Sequence, residues 1–168
     1  MSEPPRQIGV LFVCLGNICR SPTAEGIFAS LADQRGVLDR FRIDSAGTGG
    51  WHSGKLPDPR ARATALRNGL ELTHIARTID PVHDIAPPPV GFDWFIGMDL
   101  QNCSRLLSLG AAPARVRLLR SFDPLLHSAS QNMQELPDPY PEPDETFDEV
   151  FAMARRACEG LLTSLMNQ

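Results

Sequence analysis

A single three-layer α/β domain, in which a four-stranded parallel sheet carries helices on both faces, is predicted by three observations. Apolar runs of strand length alternate with segments of helical spacing. The first run, Ile8 to Val13, lacks polar alternation and so reads as a strand buried on both faces. The 168 residues, 42% hydrophobic and 21% charged, suit one soluble domain with a real core. Such alternation requires right-handed crossovers and puts a ligand outside the carboxyl ends of the strands. Chemistry is therefore expected in the loops after Val13, Ala46, Met98 and Leu119.

Residues 1 to 7 are polar and hold two prolines, which predicts a flexible N-terminus ahead of a domain spanning 8–168. After the first strand comes a seven-residue loop. Ser21-Pro22 then reads as an N-cap with proline at the first helical position, and Ile27, Phe28 and Leu31 recur at helical spacing until Gly36. Phe41 to Ala46 is the second strand, leaving into Gly47-Thr48-Gly49-Gly50. Asp58-Pro59 opens a helix from Arg60 to Asn68 that Gly69 ends. Phe92 to Met98 is the third strand, and Asp99 caps a helix running to Leu109 and closed by Gly110. Val116 to Leu119 is a short fourth strand. Thr146 and Glu149 pair as a capping box ahead of Phe147, Val150, Phe151, Ala154, Cys158, Leu161, Leu162 and Leu165, the apolar face of a long closing helix. Residues 80 to 91 and 121 to 145 break the rhythm as long loops.

Sixteen basic against twenty acidic residues leave a net charge of −4, which argues against a nucleic-acid binder held by phosphate contacts. No apolar run approaches the roughly 20 residues of a membrane span. Met1 to Arg6 offers no stretch of signal-peptide character, so a cytoplasmic protein without a membrane partner is expected. The four cysteines are too scattered for a disulfide framework, and no Cys-x2-Cys pair has zinc spacing. Free thiols and no metal or cofactor are expected, with Cys103 and Cys158 as packing residues. Seven carboxylates and no base lie between Glu135 and Glu149, a solvated loop plus helix N-terminal charge that can repel acidic peptides.

The chemistry lies in Cys14-Leu15-Gly16-Asn17-Ile18-Cys19-Arg20-Ser21, between the first strand and a helix start. A loop wrapped at a helix N-terminus turns several N–H groups inward, the helix dipole adds partial positive charge, and Arg20 can fork onto two oxygens of a tetrahedral anion. The same field favours a thiolate at the loop entrance, beneath the central atom of a bound anion, where in-line displacement needs a nucleophile. Displacement of a poor leaving group also needs a protonating carboxyl. Asp123 and Asp138 both compete for that role, each preceding a proline.

With these residues the chain resembles the low-molecular-weight protein tyrosine phosphatases over nearly all of 8–168. Besides the loop and its continuation Pro22-Thr23-Ala24-Glu25, the agreement includes Asp44-Ser45-Ala46-Gly47-Thr48, Trp51, and Pro57-Asp58-Pro59-Arg60-Ala61. Thr73-His74-Ile75-Ala76-Arg77, Met98-Asp99 with Asn102, and Asp138-Pro139-Tyr140 complete it. The resemblance implies hydrolysis of phosphotyrosine in protein substrates, and of aryl phosphates, through a phosphocysteine on Cys14, with Arg20 on the phosphoryl group and Asp138 as general acid and base. It implies that Leu15, Gly16, Asn17, Ile18, Cys19 and Ser21 form the phosphate loop, and that Ser21 donates to the thiolate. Asn17, Ser45 and His74 would fix the loop backbone, while Leu15, Trp51 and Tyr140 would wall the ring site. Cys19 could close a disulfide with Cys14 under oxidants, and the oligomeric state expected is monomer or weak dimer. Two departures bear on specificity: Pro141-Glu142-Pro143-Asp144 stands where the family commonly has a second aromatic, and Arg77 to Phe92 is longer and richer in proline.

Three rivals are weighed. Thioredoxin-coupled arsenate reductases share the loop but need two further cysteines after the second helix, and residues 69 to 92 contain none. Arginine phosphatases of the same family carry a smaller polar residue where Ile18 stands. A non-catalytic anion binder would be expected to lack Cys14, Arg20 or Asp138.

Overall fold

The computed structural model describes residues 2–168. It holds four parallel strands, β1 (Ile8–Cys14), β2 (Phe41–Gly47), β3 (Trp94–Gly97) and β4 (Val116–Leu118), in the order β2-β1-β3-β4. β1 is central, paired on both edges, and Val10, Leu11, Phe12 and Val13 are each 0% exposed, which accounts for its unbroken apolar run. Its alternate residues serve opposite faces. Val10 and Phe12 join the cluster built from α1 (Arg20–Gln34), α2 (Pro59–Arg67) and α4 (Glu145–Met166), whereas Leu11 and Val13 pack with Phe95, Ile79 and Leu106 of α3 (Leu100–Ser108). The two faces are thus covered unequally. Phe28 of α1 sits 5.6 Å from the ring of Phe12, and full burial of such a side chain contributes roughly 1.5–3 kcal/mol.

Four details differ from the sequence expectation. Ser21 does not cap α1: Cys19 holds the N-cap position with no side-chain cap, because the Ser21 hydroxyl is engaged by Cys14 and Asn17 instead. Thr146 and Glu149 form no capping box, since α4 starts earlier, at Glu145. Its first turn is closed by the carbonyls of Pro143 and Asp144, which accept from Thr146 and Phe147 N–H. β3 begins at Trp94 because Phe92 N–H goes to the Asp84 carbonyl and the Asp93 carboxylate accepts from Gly9 N–H at 2.7 Å. Leu119 opens a turn of 3-10 helix rather than ending β4. The Asp58 cap of α2 and the Asp99 cap of α3 are as expected, the latter in a capping box with Asn102.

Residues 2 to 7 carry no regular element, yet Arg6 grips Asp93 with two hydrogen bonds of 2.9 Å. The loop at 80–91 is organised on buried Asp84, which accepts from both Nη atoms of Arg77 and from Asp80 N–H. The stretch after β4 folds as separate single turns of 3-10 helix around Asp123. No helix among the described residues is long and apolar enough to cross a membrane.

Candidate active site

The register brings Cys14 opposite Gly47 and Val13 opposite Gly97, so residues 14 to 20 emerge at the carboxyl edge between β2 and β3. The loop's carbonyls are drawn outward. Cys14 O accepts from Thr48 N–H at 2.9 Å, Leu15 O from Gly49 N–H at 2.8 Å and Ile18 O from Asp58 N–H at 2.8 Å. This turns the N–H side of the loop toward its concave interior, an arrangement that attracts anions. Gly47 permits the close approach: a Cβ there would lie 2.9 Å from Leu15 O.

Asn17 holds the turn. It is the one non-glycine residue among those described with positive φ, +58°, and it is 1% exposed. Its Nδ2 donates to Ser21 Oγ at 2.8 Å and Ser45 Oγ at 3.0 Å, while its Oδ1 accepts from Arg77 N–H at 3.0 Å and from His74 Nε2 at 2.8 Å. Four bonds from three other segments therefore fix a backbone conformation that costs L-residues about 1–2 kcal/mol. Cys14 Sγ lies 3.0 Å from Ser21 Oγ and accepts from Asn17 N–H at 3.2 Å.

Behind the loop, His74 Nδ1 faces Glu25 Oε1 at 3.2 Å and Asp44 Oδ1 at 3.6 Å. Burial pushes Glu25 up to about 7 and His74 below its ordinary value. Both shifts favour the neutral form of the group, and a neutral imidazole that carries its proton on Nε2 donates to Asn17 Oδ1.

Arg20 is 4% exposed and carries one Nη bonded to Asp99 Oδ2 at 2.8 Å and to the Leu136 carbonyl at 3.0 Å. Its Nε and other Nη remain for a ligand, as a fork requires. Asp99 does two jobs, because its Oδ1 simultaneously caps α3 through Asn102 N–H. Sequence reasoning anticipated the cap and missed the ion pair, which depends on β3 lying beside β1.

A cleft of about 200 Å³ opens above Cys14, lined also by Leu15, Gly16, Ile18, Cys19 and Arg20 of the loop and by Trp51, His52, Asp138 and Tyr140. Asp138 accepts from Tyr140 N–H at 3.0 Å, a turn that sets its carboxylate at the rim. The segment is anchored by Arg60, which donates to the carbonyls of Tyr140 and Glu142 while paired with Asp58. Leu15, Trp51 and Tyr140 are exposed apolar walls at 44%, 62% and 49%. His52 was not anticipated; only its neighbour Trp51 marked this stretch.

Asp123 is not in the cleft. It is fully buried and accepts from Arg156 Nε with both oxygens at 3.0 Å and from Leu125 N–H at 2.9 Å. Burial alone would raise it, but the Arg156 hydrogen bonds and the Leu125 N–H hold it below the usual carboxylate range. Cys19 is buried, and desolvation followed by the nearby Asp58 charge pushes its thiol up. Cys158 is 0% exposed on α4, and Cys103 is raised to about 11 by burial and then by Asp99. All four cysteines are free thiols.

Residues 9–168 match the family model described as low molecular weight phosphotyrosine protein phosphatase. Low molecular weight protein-tyrosine phosphatase A of Mycobacterium tuberculosis is 40% identical over 161 residues, covering 96% of this chain and 91% of that protein. A protein tyrosine phosphatase from Entamoeba histolytica superposes with a TM-score of 0.84 at 29% identity, over 96% of this chain and 98% of that one. The Drosophila arginine phosphatase superposes at 0.79 with 28% identity, over 93% and 96%.

Proposed function

The chain belongs to the low molecular weight phosphotyrosine protein phosphatase family, and from that premise we propose that it hydrolyses phosphotyrosine in proteins by double displacement at Cys14. One observation carries the reading: Cys14 Sγ, within 3.0 Å of a hydroxyl and 3.2 Å of a loop N–H, shares one cleft with Arg20 and Asp138. In this mechanism the loop amides and the free edge of Arg20 hold three phosphoryl oxygens, and Cys14 Sγ attacks phosphorus opposite the leaving oxygen. The S–P bond forms as the P–O bond breaks. Asp138 gives its proton to the departing phenolate, whose conjugate acid has a pKa near ~10. The resulting carboxylate then takes a proton from water, whose oxygen attacks the phosphocysteine to release phosphate and the thiolate.

Ser21 supports the thiolate by donating its hydroxyl hydrogen. Asn17, Ser45 and His74 act as positioning residues through the loop backbone. The buried pairing of Asp123 with Arg156 favours Asp138 over Asp123 as the acid. Cys19, beside Cys14 in the cleft wall, is the partner proposed for reversible oxidation.

The likeness to an arginine phosphatase makes a phosphoarginine substrate the competing reading. Ile18, 8% exposed and lining the cleft beside Leu15, favours a flat ring over a guanidinium. The test is turnover of phosphotyrosine and phosphoarginine peptides side by side by the wild type. Faster release of phosphate from phosphotyrosine is expected, and preference for phosphoarginine would overturn the assignment.

A further inference from the structure

Every second residue from Pro137 to Pro143 is a proline, so the segment carrying Asp138 is poor in backbone donors. Of residues 137–142 only Pro139 is buried, and none lies in a helix or strand. Two of the N–H groups that remain bond within the segment, Tyr140 N–H to Asp138 Oδ1 and Glu142 N–H to the Pro139 carbonyl, both at 3.0 Å. A segment so built can be held from outside only through its carbonyls. Among the described residues, the only hydrogen bonds that tie 137–142 to another element come from Arg60, in the first turn of α2.

Arg60 Nη2 donates to the Tyr140 carbonyl at 3.0 Å and Nη1 to the Glu142 carbonyl at 3.3 Å. Its guanidinium also lies over the Phe147 ring of α4, 4.5 Å from the centroid. The same guanidinium is paired with Asp58, through Nε at 3.1 Å and Nη2 at 3.0 Å. Asp58 is buried and faces the other way as well: its backbone N–H donates to the Ile18 carbonyl of the phosphate loop at 2.8 Å. One carboxylate–guanidinium pair thus joins the loop beneath the phosphoryl group to the segment that carries the acid. Tyr140 completes the connection, since its N–H sets the Asp138 carboxylate and its carbonyl is bound by Arg60.

We propose that Arg60 is a positioning residue for the general acid, and that the Asp58–Arg60 pair sets Asp138 at its working distance from the leaving oxygen above Cys14. Such a role rests on the function proposed above and deepens it. Without the guanidinium the proline-rich segment has no bond to the rest of the molecule between Leu136 and the start of α4, and a displacement of about 1 Å at a reacting group can cost roughly a hundredfold in rate. The phosphoryl group itself is held by the loop amides and Arg20, which Arg60 does not touch. The loss therefore falls on the step that needs a proton.

The experiment compares wild type, Arg60→Met, Asp138→Asn and the double variant in single-turnover cleavage of phenyl phosphate, a poor leaving group, and p-nitrophenyl phosphate, a good one. Arg60→Met keeps an apolar chain beside Phe147 and removes the donors. It is expected to slow phenyl phosphate about ten- to hundredfold and p-nitrophenyl phosphate less than about threefold. The inhibition constant of inorganic phosphate should stay within about twofold of wild type. Added to Asp138→Asn, Arg60→Met should cost no more than about a further twofold, because both act on the same proton transfer. Asp58→Asn keeps the α2 cap and the N–H to Ile18 but weakens the hold on the guanidinium. It should shift the same ratio by a smaller factor, and it decides the matter if Arg60→Met does not fold. Unchanged rates, equal slowing of both esters, or a full additional loss in the double variant would overturn the inference, the last two by showing that Arg60 supports the loop or the fold instead. Wild type that cleaves neither ester, or Asp138→Asn that slows both equally, would remove the function on which it rests.

Discussion

Replacing Asn17 by alanine removes four hydrogen bonds and leaves an ordinary L-residue in the left-handed region at φ +58°. At about 0.5–1.5 kcal/mol net per bond the lost bonds sum to roughly 2–6 kcal/mol. A value near ~3 is taken because the hydroxyls of Ser21 and Ser45 can turn toward each other or toward water. The left-handed backbone adds about 1 kcal/mol. The expected loss is therefore about 4 kcal/mol, a large share of the 5–15 kcal/mol typical of a domain. In urea, with a slope of about 2 kcal/mol/M, the unfolding midpoint should fall by about 2 M. Asn17→Gly separates the two contributions: it loses the same bonds but tolerates positive φ, and should be about 1 kcal/mol more stable than Asn17→Ala. Both variants should lose most turnover, because the loop amides no longer converge. An Asn17→Ala protein within about 1 kcal/mol of wild type would refute the claim that this side chain holds the loop.

Arg20→Lys should cut kcat severely, because a point ammonium cannot both hold Asp99 and the Leu136 carbonyl and fork onto phosphoryl oxygens; steady-state constants equal to wild type would contradict the fork. Asp138→Asn should slow single-turnover cleavage of aryl phosphates most where the leaving group is worst. Asp123→Asn should leave that dependence unchanged, and an exchange of these behaviours would exchange the roles. Asp123→Asn should instead cost about 2 kcal/mol at pH 7, less than a fully buried pair because the Arg156 side chain is 36% exposed. Asp123 has a folded pKa below its unfolded value, so this contribution is complete above about pH 4 and is lost as pH falls through the folded value. Denaturation curves of the two proteins should therefore converge in acid, and a gap that persists at low pH would mean that the ion pair is not its source.

The parallel sheet was legible because β1 is buried on both faces and its neighbours β2 and β3 end at Gly47 and Gly97. The caps at Asp58 and Asp99 were legible for a local reason: each side chain bonds an N–H two or three residues away. Ser21 looked like a cap by the same rule, but its hydroxyl serves Cys14 and Asn17, and no local pattern encodes that competition. Likewise, Thr146 and Glu149 have the right spacing, yet backbone carbonyls starting at Pro143 close the first turn before them. The loop from Cys14 to Ser21 stood out as a candidate site from residue types alone. Its supports came from far away in the chain: Asp99 on Arg20, Glu25 against His74, and His52 over Gly16. Those contacts depend on which strands become neighbours. The choice between Asp123 and Asp138 was open for the same reason, since both precede a proline and only tertiary packing buries one against Arg156.

The most direct test of the account is to mix the protein with an aryl phosphate, quench in acid during turnover and locate the phosphoryl group by peptide mass spectrometry. The account predicts a phosphoryl group on the peptide carrying Cys14, accumulating further in Asp138→Asn when the aryl phosphate has a good leaving group, whose departure needs little acid assistance while water attack lacks its base. Cys14→Ser should show no turnover above background while still binding phosphate. A phosphoryl group on another residue, or sustained turnover by Cys14→Ser, would contradict the account.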